Sequence, residues 1–186
     1  KDNLISIKNE IQEINPNSQL IVVTKTFKMD KIEPLIEFGH MHYGENKVQE
    51  ALEKWESVKA ERKEIKLHLI GKLQSNKVKF CLPLFDYIHG LDSIKLAEKI
   101  ANEQVKKNFR PKVFIQINIG DEDQKNGVNQ DEILKFYSSI KKNFDLDVIG
   151  LMCIPPFVKD TTPFFIKMKS FAETLNVKHL SMGMSG

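Results

Sequence analysis

The sequence predicts an α/β fold, a (β/α)8 TIM-type barrel in which seven strands can be read and the eighth cannot. Three observations predict it. Short β-branched runs alternate with amphipathic stretches along the whole chain, the pattern of βα units built around a parallel sheet. No G-x-G-x-x-G follows the first run, which disfavours the doubly wound dinucleotide sheet, the other architecture such alternation can build. The 186 residues, 41% hydrophobic and 28% charged, suit one domain over 1–186, below the roughly 250 residues of a typical barrel.

The elements follow in order. Leu4 to Ile14 is patterned as a helix before the first strand, Leu20 to Thr26. Asp30 to Phe38 puts Ile32, Leu35 and Ile36 on one stripe, with Gly39 as its stop. Strand two is Met41 to Gly44, and Asn46 to Ser57 follows with Val48, Leu52 and Trp55 on one face. Strand three, Lys66 to Gly71, leads through the cap-like Gln74-Ser75-Asn76 into a helix, and strand four is Tyr87 to Leu91. Asp92 or Ser93 can cap the next helix, which carries Ile94, Ala97, Ile100 and Ala101. Lys112 to Ile119, a helix over Asp131 to Asn143, and Asp147 to Ile154 come next. Thr162 and Pro163 read as cap and first turn of a last helix with Met168, Phe171 and Leu175, before strand seven, Val177 to Met182.

Composition narrows the function. Lys+Arg is 28 against Asp+Glu 25, a charge of +3 spread along the chain, and only Arg62 and Arg110 are arginines, so a dedicated nucleic-acid surface is not indicated. Cys81 and Cys153 sit in apolar stretches and read as small core residues of a protein in the reducing cytoplasm. No apolar run reaches the roughly 20 residues that span a bilayer, and no signal-peptide stretch opens the chain, which begins at Lys1.

Barrels place their chemistry at the C-terminal ends of the strands. Alternation puts Lys25 on the side of Ile21 and Val23. If that side is the interior, burial lowers the amine's pKa and frees its lone pair for attack on a carbonyl; if the strand ends earlier, Lys25 points into solvent at the rim. Asn46 caps the helix after strand two or donates to a ligand, and His68 reads as a hydrogen-bonded core histidine. Asp121, Asp123 and Glu132 imitate a calcium loop, but Lys125 and Asn126 occupy its fifth and sixth places; His40 and His42 lack a third zinc ligand nearby. No metal is expected. The run His179-Leu180-Ser181-Met182-Gly183-Met184-Ser185-Gly186 offers hydroxyls and backbone N–H groups where barrels bind phosphate. A lysine and a phosphate cradle are the two contacts that pyridoxal 5′-phosphate would use.

Six segments carry a resemblance: Val22-Val23-Thr24-Lys25-Thr26, His42 to Glu50, His68 to Lys77, Gln116-Ile117-Asn118-Ile119-Gly120, Gly150-Leu151-Met152, and Leu180 to Ser185. Together they resemble the pyridoxal phosphate homeostasis proteins, which are similar to the N-terminal barrel of alanine racemase. The resemblance implies that Lys25 forms a Schiff base with pyridoxal 5′-phosphate, that Asn46 lies beside the cofactor, and that Ser181, Gly183 and Ser185 lie near its phosphate. It further implies a monomer that stores, buffers and delivers the cofactor, with cofactor-requiring apo-enzymes as partners and no established turnover. The family pattern usually continues with an eighth strand bearing an arginine toward the pyridine nitrogen, and neither Arg62 nor Arg110 lies in such a context. The alternative is an amino-acid racemase of low activity, which needs an acid/base group on each face of the cofactor. Tyr43, Tyr87 and Tyr137 match no position for the second.

Overall fold

The computed structural model describes residues 2–122 and 126–182, which form one row of seven parallel strands in chain order. The strands are β1 (Val22–Val23), β2 (His42–Glu45), β3 (Lys66–Leu69), β4 (Tyr87–Leu91), β5 (Lys112–Ile117), β6 (Asp147–Cys153) and β7 (His179–Ser181). Helix α1 (Asp2–Ile14) precedes them. The crossovers are α2 (Met29–Glu37), α3 (Val48–Glu61), a 3-10 turn (Ser75–Lys77) running into the one-turn α4 (Val78–Cys81), α5 (Ile94–Lys107), α6 (Ile133–Asn143) and α7 (Thr162–Leu175). A doubly wound sheet reverses its strand order at a switch point; this row never does. Among the described residues β1 pairs only with β2 and β7 only with β6, so the barrel is open along that edge.

Alternation along the strands divides the molecule. One parity is apolar and packs under the helices: Leu67, Leu69, Ile88, Val113, Ile115 and Ile117 are all buried. They meet the helix stripes the sequence predicts, Ile32 and Ile36 on α2, Ala51 and Trp55 on α3, Ala97 and Ile100 on α5. The opposite parity faces the barrel interior and is largely polar or aromatic. Cys81 and Cys153 are buried and unpaired, as expected, and burial pushes the Cys153 thiol up to about 11.

Local signals hold where the backbone needs them. Gly39 ends α2 at φ +87 with its N–H on the Ile36 carbonyl, and Ser93 Oγ accepts from Leu96 N–H at 3.4 Å at the start of α5. At α7 the N-cap is Thr161, and Asp160 Oδ1 takes the Thr162 N–H, so the polar start lies one to two residues earlier than Thr162. The N-cap of α3 is Lys47, not Asn46, and no side chain bonds there. β1 covers two residues of the expected seven, because the chain leaves the sheet at Thr24 for contacts beneath α3. Among the described residues no helix is long and apolar enough to cross a membrane.

Candidate functional site

The register Val22 to Tyr43 and Val23 to Gly44 brings the chain after β1 alongside the chain after β2. A Cβ on Gly44 would lie 3.1 Å from Ile21 Cγ2 and 3.3 Å from Ile70 Cδ1, so Ile21, Val23 and Ile70 share the interior parity. Lys25 has that parity, and like Val23 before it, it is not buried. It occupies the turn after β1 and is exposed, and among the described residues no ion pair or hydrogen bond holds its ammonium. The buried interior position is therefore not what the structure contains.

Both neighbours of Lys25 are fixed from the helix side. Thr24 is buried; its hydroxyl donates to Glu45 Oε1 at 2.7 Å and its carbonyl accepts from Lys54 Nζ at 2.8 Å. Thr26 N–H donates to Glu50 Oε1 at 2.7 Å. The same Glu45 oxygen accepts from Lys54 Nζ at 2.8 Å and Trp55 Nε1 at 2.9 Å, and Lys54 also reaches Glu50 at 3.2 Å. The Thr26 N–H, more than any other contact, holds the Glu50 carboxyl below the usual range. Thr26 itself sits at φ +67, a left-handed conformation that a β-branched residue adopts only when its surroundings impose it. Glu45 and Lys54 form a buried ion pair that holds Thr24, and Glu50, paired to the same Lys54, holds Thr26, so the backbone is fixed on either side of Lys25 while its own side chain stays free.

Asn46 follows β2 beside this turn. Its Oδ1 is buried without a hydrogen-bond partner, an orphan whose cost a ligand donor would remove. Gly71 makes the placement possible, since a Cβ there would stand 2.3 Å from the Asn46 carbonyl oxygen. Ser181 ends β7 at the other edge of the row, so Lys25 and Ser181 stand at the C-terminal ends of the two edge strands. Gly183 and Ser185 lie outside the described residues, as does part of the acidic loop after β5. A cavity of about 340 Å³ opens between the start of α5 and α6, and none of the expected site residues lines it.

Ser181 Oγ lies 2.7 Å from His89 Nδ1. From there His89 Nε2 meets His68 Nδ1 at 2.9 Å, and His68 Nε2 meets His42 Nδ1 at 2.9 Å. His68 is stacked on Tyr87 at 4.1 Å and His89 on Phe114 at 4.4 Å, which fixes both ring planes. Burial depresses all of these imidazoles, His68 to about 2 and His89 to about 3, so the chain is neutral at physiological pH. His68 is thus the bonded core histidine the sequence suggests. His89 and the chain as a whole escaped the sequence reading, although a histidine at inward parity on each of three successive strands was a visible signal. The network of Glu45, Glu50, Lys54 and Trp55 also escaped it, because Thr24 and Thr26, the backbone it holds, lie across the α2 crossover.

Seven parallel strands in chain order, joined by crossovers and with polar residues at their C-terminal ends, define a (β/α) barrel whose eighth strand is missing among the described residues, and a family match narrows this to the alanine-racemase type. The chain belongs to that family: the model described as alanine racemase, N-terminal domain, matches residues 1–186. Among its relatives is the pyridoxal phosphate homeostasis protein of Aquifex aeolicus (strain VF5), 34% identical over 177 residues, 90% of this chain and 77% of the relative. The pyridoxal phosphate homeostasis protein of Pasteurella multocida (strain Pm70) is 35% identical over 203 residues, covering all of this chain and 87% of the relative. The structure of PipY from Synechococcus elongatus PCC7942 without PLP superimposes with a TM-score of 0.91 at 30% identity, over 99% of this chain and 88% of PipY. PipY with PLP bound superimposes at 0.80 and 28%, over 97% and 90%.

Proposed function

We propose that this chain binds pyridoxal 5′-phosphate, held on the Lys25 amine as a Schiff base, and that it stores, buffers and hands on the cofactor as a monomer in the reducing cytoplasm. What carries the reading is the juxtaposition around Lys25: a free amine on a backbone clamped at Thr24 and Thr26, beside an Asn46 Oδ1 that lacks a partner. The relatives add support through their names, and PipY through its PLP-bound structure.

Pyridoxal 5′-phosphate supplies an aldehyde carbon and a phosphate anion. Lys25 contributes the nucleophile, Asn46 a carbonyl acceptor for a polar group of the ligand, and Ser181, with Gly183 and Ser185, the hydroxyl and N–H donors for the phosphate. Lys25 is exposed at the end of β1, which suits release to an apo-enzyme. A racemase is the weaker reading. Tyr43 is buried with its hydroxyl on the His40 carbonyl at 2.9 Å, and burial pushes that hydroxyl well above its ordinary range; Tyr87 is stacked against His68. Tyr43 is thus not free to act as a second base, and Tyr87 begins β4, at the opposite end of the strands from Lys25.

Mixing the protein with pyridoxal 5′-phosphate should produce a visible absorbance band that Lys25→Ala abolishes. Borohydride reduction followed by peptide mass analysis should find the label on Lys25 alone. A band that survives Lys25→Ala, or a label on another lysine, would disprove the assignment.

A further inference from the structure

The chain from His42 through His68 and His89 to Ser181 has a direction, and direction has consequences. Each of its contacts holds one proton between two atoms at 2.7 to 2.9 Å. Each neutral imidazole carries one N–H and one lone pair, so the direction of any single bond fixes the direction of all the others. Only two arrangements exist. In one, Ser181 donates to His89 Nδ1, and the three histidines are protonated at Nε2. In the other, His42, His68 and His89 are all protonated at Nδ1 and each donates toward the next, until His89 donates to Ser181 Oγ.

We propose that this histidine chain sets the hydroxyl of Ser181 for a phosphate-bearing ligand: with the anion bound, all three imidazoles carry their proton on Nδ1. The inference rests on the reading above that Ser181 faces the phosphate. A phosphate oxygen is an acceptor, so the Ser181 hydrogen must point at it. Ser181 Oγ must then accept from His89 Nδ1–H, which obliges His89 Nε2 to accept from His68, and His68 Nε2 to accept from His42. Conversion between the arrangements balances: one proton enters at Ser181 and one leaves His42 Nε2, with no change in charge. No hydrogen bond among the described residues reaches His42 Nε2, and His42 is half-buried, so that end is free to exchange its proton. The stacking of His68 on Tyr87 and of His89 on Phe114 prevents the rings from turning to evade the constraint. His89 is thus a positioning residue that acts on the ligand through Ser181.

Long-range proton–nitrogen NMR of the uniformly nitrogen-15-labelled chain reads each imidazole's tautomer directly. With pyridoxal 5′-phosphate bound, as shown by its absorbance, His42, His68 and His89 should all be Nδ1–H. A bound state with any of the three at Nε2–H overturns the proposal while leaving the cofactor assignment intact. If no absorbance band forms, the cofactor reading fails by itself, and a titration with inorganic phosphate decides the relay: saturation with Nδ1–H throughout supports it, and any other state rejects it. His89→Phe should weaken pyridoxal 5′-phosphate about tenfold relative to pyridoxal, which lacks the phosphate. His89→Gln, whose amide can still donate to Ser181, should restore most of that ratio. Equal losses for both ligands, or no rescue by glutamine, would reduce the role of His89 to packing.

Discussion

Two buried polar networks flank the same few strands, and they solve the problem of burial in opposite ways. Beneath α3, Glu45 is fully buried and charged, and it is tolerable there because Lys54, Trp55 and Thr24 converge on one of its oxygens. On the inward face, His42, His68 and His89 avoid the cost by staying neutral and bonding in series. The charged network has one workable arrangement and so fixes a backbone. The neutral one has two arrangements of equal charge and so can answer to what lies at its end. Rigidity sits under Lys25, adaptability behind Ser181.

The largest expected effect comes from breaking the charged network. Lys54→Met keeps the apolar stem but leaves Glu45 without a cation, and removal of one partner from a buried pair costs about 3–5 kcal/mol. Denaturant unfolding should show the loss, and cofactor capture at Lys25 should weaken in whatever folded protein remains. Full stability in Lys54→Met would mean that Glu45 is satisfied by its neutral donors alone.

The neutral network should respond to acid instead. His68 and His89 are depressed by burial to about 2 and about 3, so the unfolded chain, with histidines near 6.5, binds protons that the folded chain refuses. Their contribution is therefore complete above pH 6.5 and declines as the pH falls toward 3. Each adds a slope of at most about 1.4 kcal/mol per pH unit, roughly 2.7 for the two together. Unfolding free energies measured between pH 7 and 5 check this, and His89→Phe should flatten the curve. An unchanged slope in that variant would place the acid sensitivity elsewhere.

How much of this was readable in advance follows from the range of the interactions. Strand β4 is found at its expected bounds, Tyr87–Leu91, and α6 and α7 lie within two residues of theirs, because periodicity and end signals are local. Gly39 and Ser93 act as written in the sequence for the same reason. Lys25 is singled out by its neighbours in sequence and by family resemblance, and its exposure matches the reading in which the strand ends early, as β1 does at Val23. Which of the two readings holds depends on contacts of Thr24 with β2 and α3 that lie outside the segment itself. Asn46 reads as a helix cap and is not one. Its neighbour Lys47 takes the cap position, and the side-chain carbonyl is left over for something else. The histidine chain depends on register between three strands and on β7 reaching across the interior, which no single segment encodes.

The smallest effect sharpens the idea that the charged network holds a backbone rather than merely filling space. Thr26 at φ +67 stores strain of about 1–2 kcal/mol, which glycine would not carry. Thr26→Gly releases that strain but gives the unfolded chain more freedom, a cost of roughly 0.5–1 kcal/mol, so stability should change by less than about 1 kcal/mol in either direction. The Thr26 N–H survives the substitution and can still reach Glu50, so the contact itself is not removed. What disappears is the side chain's restriction of the turn to one conformation beside Lys25. Cofactor capture followed by absorbance should then slow or weaken by a few fold while the unfolding midpoint stays nearly still. A variant that captures the cofactor as well as the parent would show that the hydrogen bonds alone hold the lysine turn, and that the left-handed threonine is incidental to it.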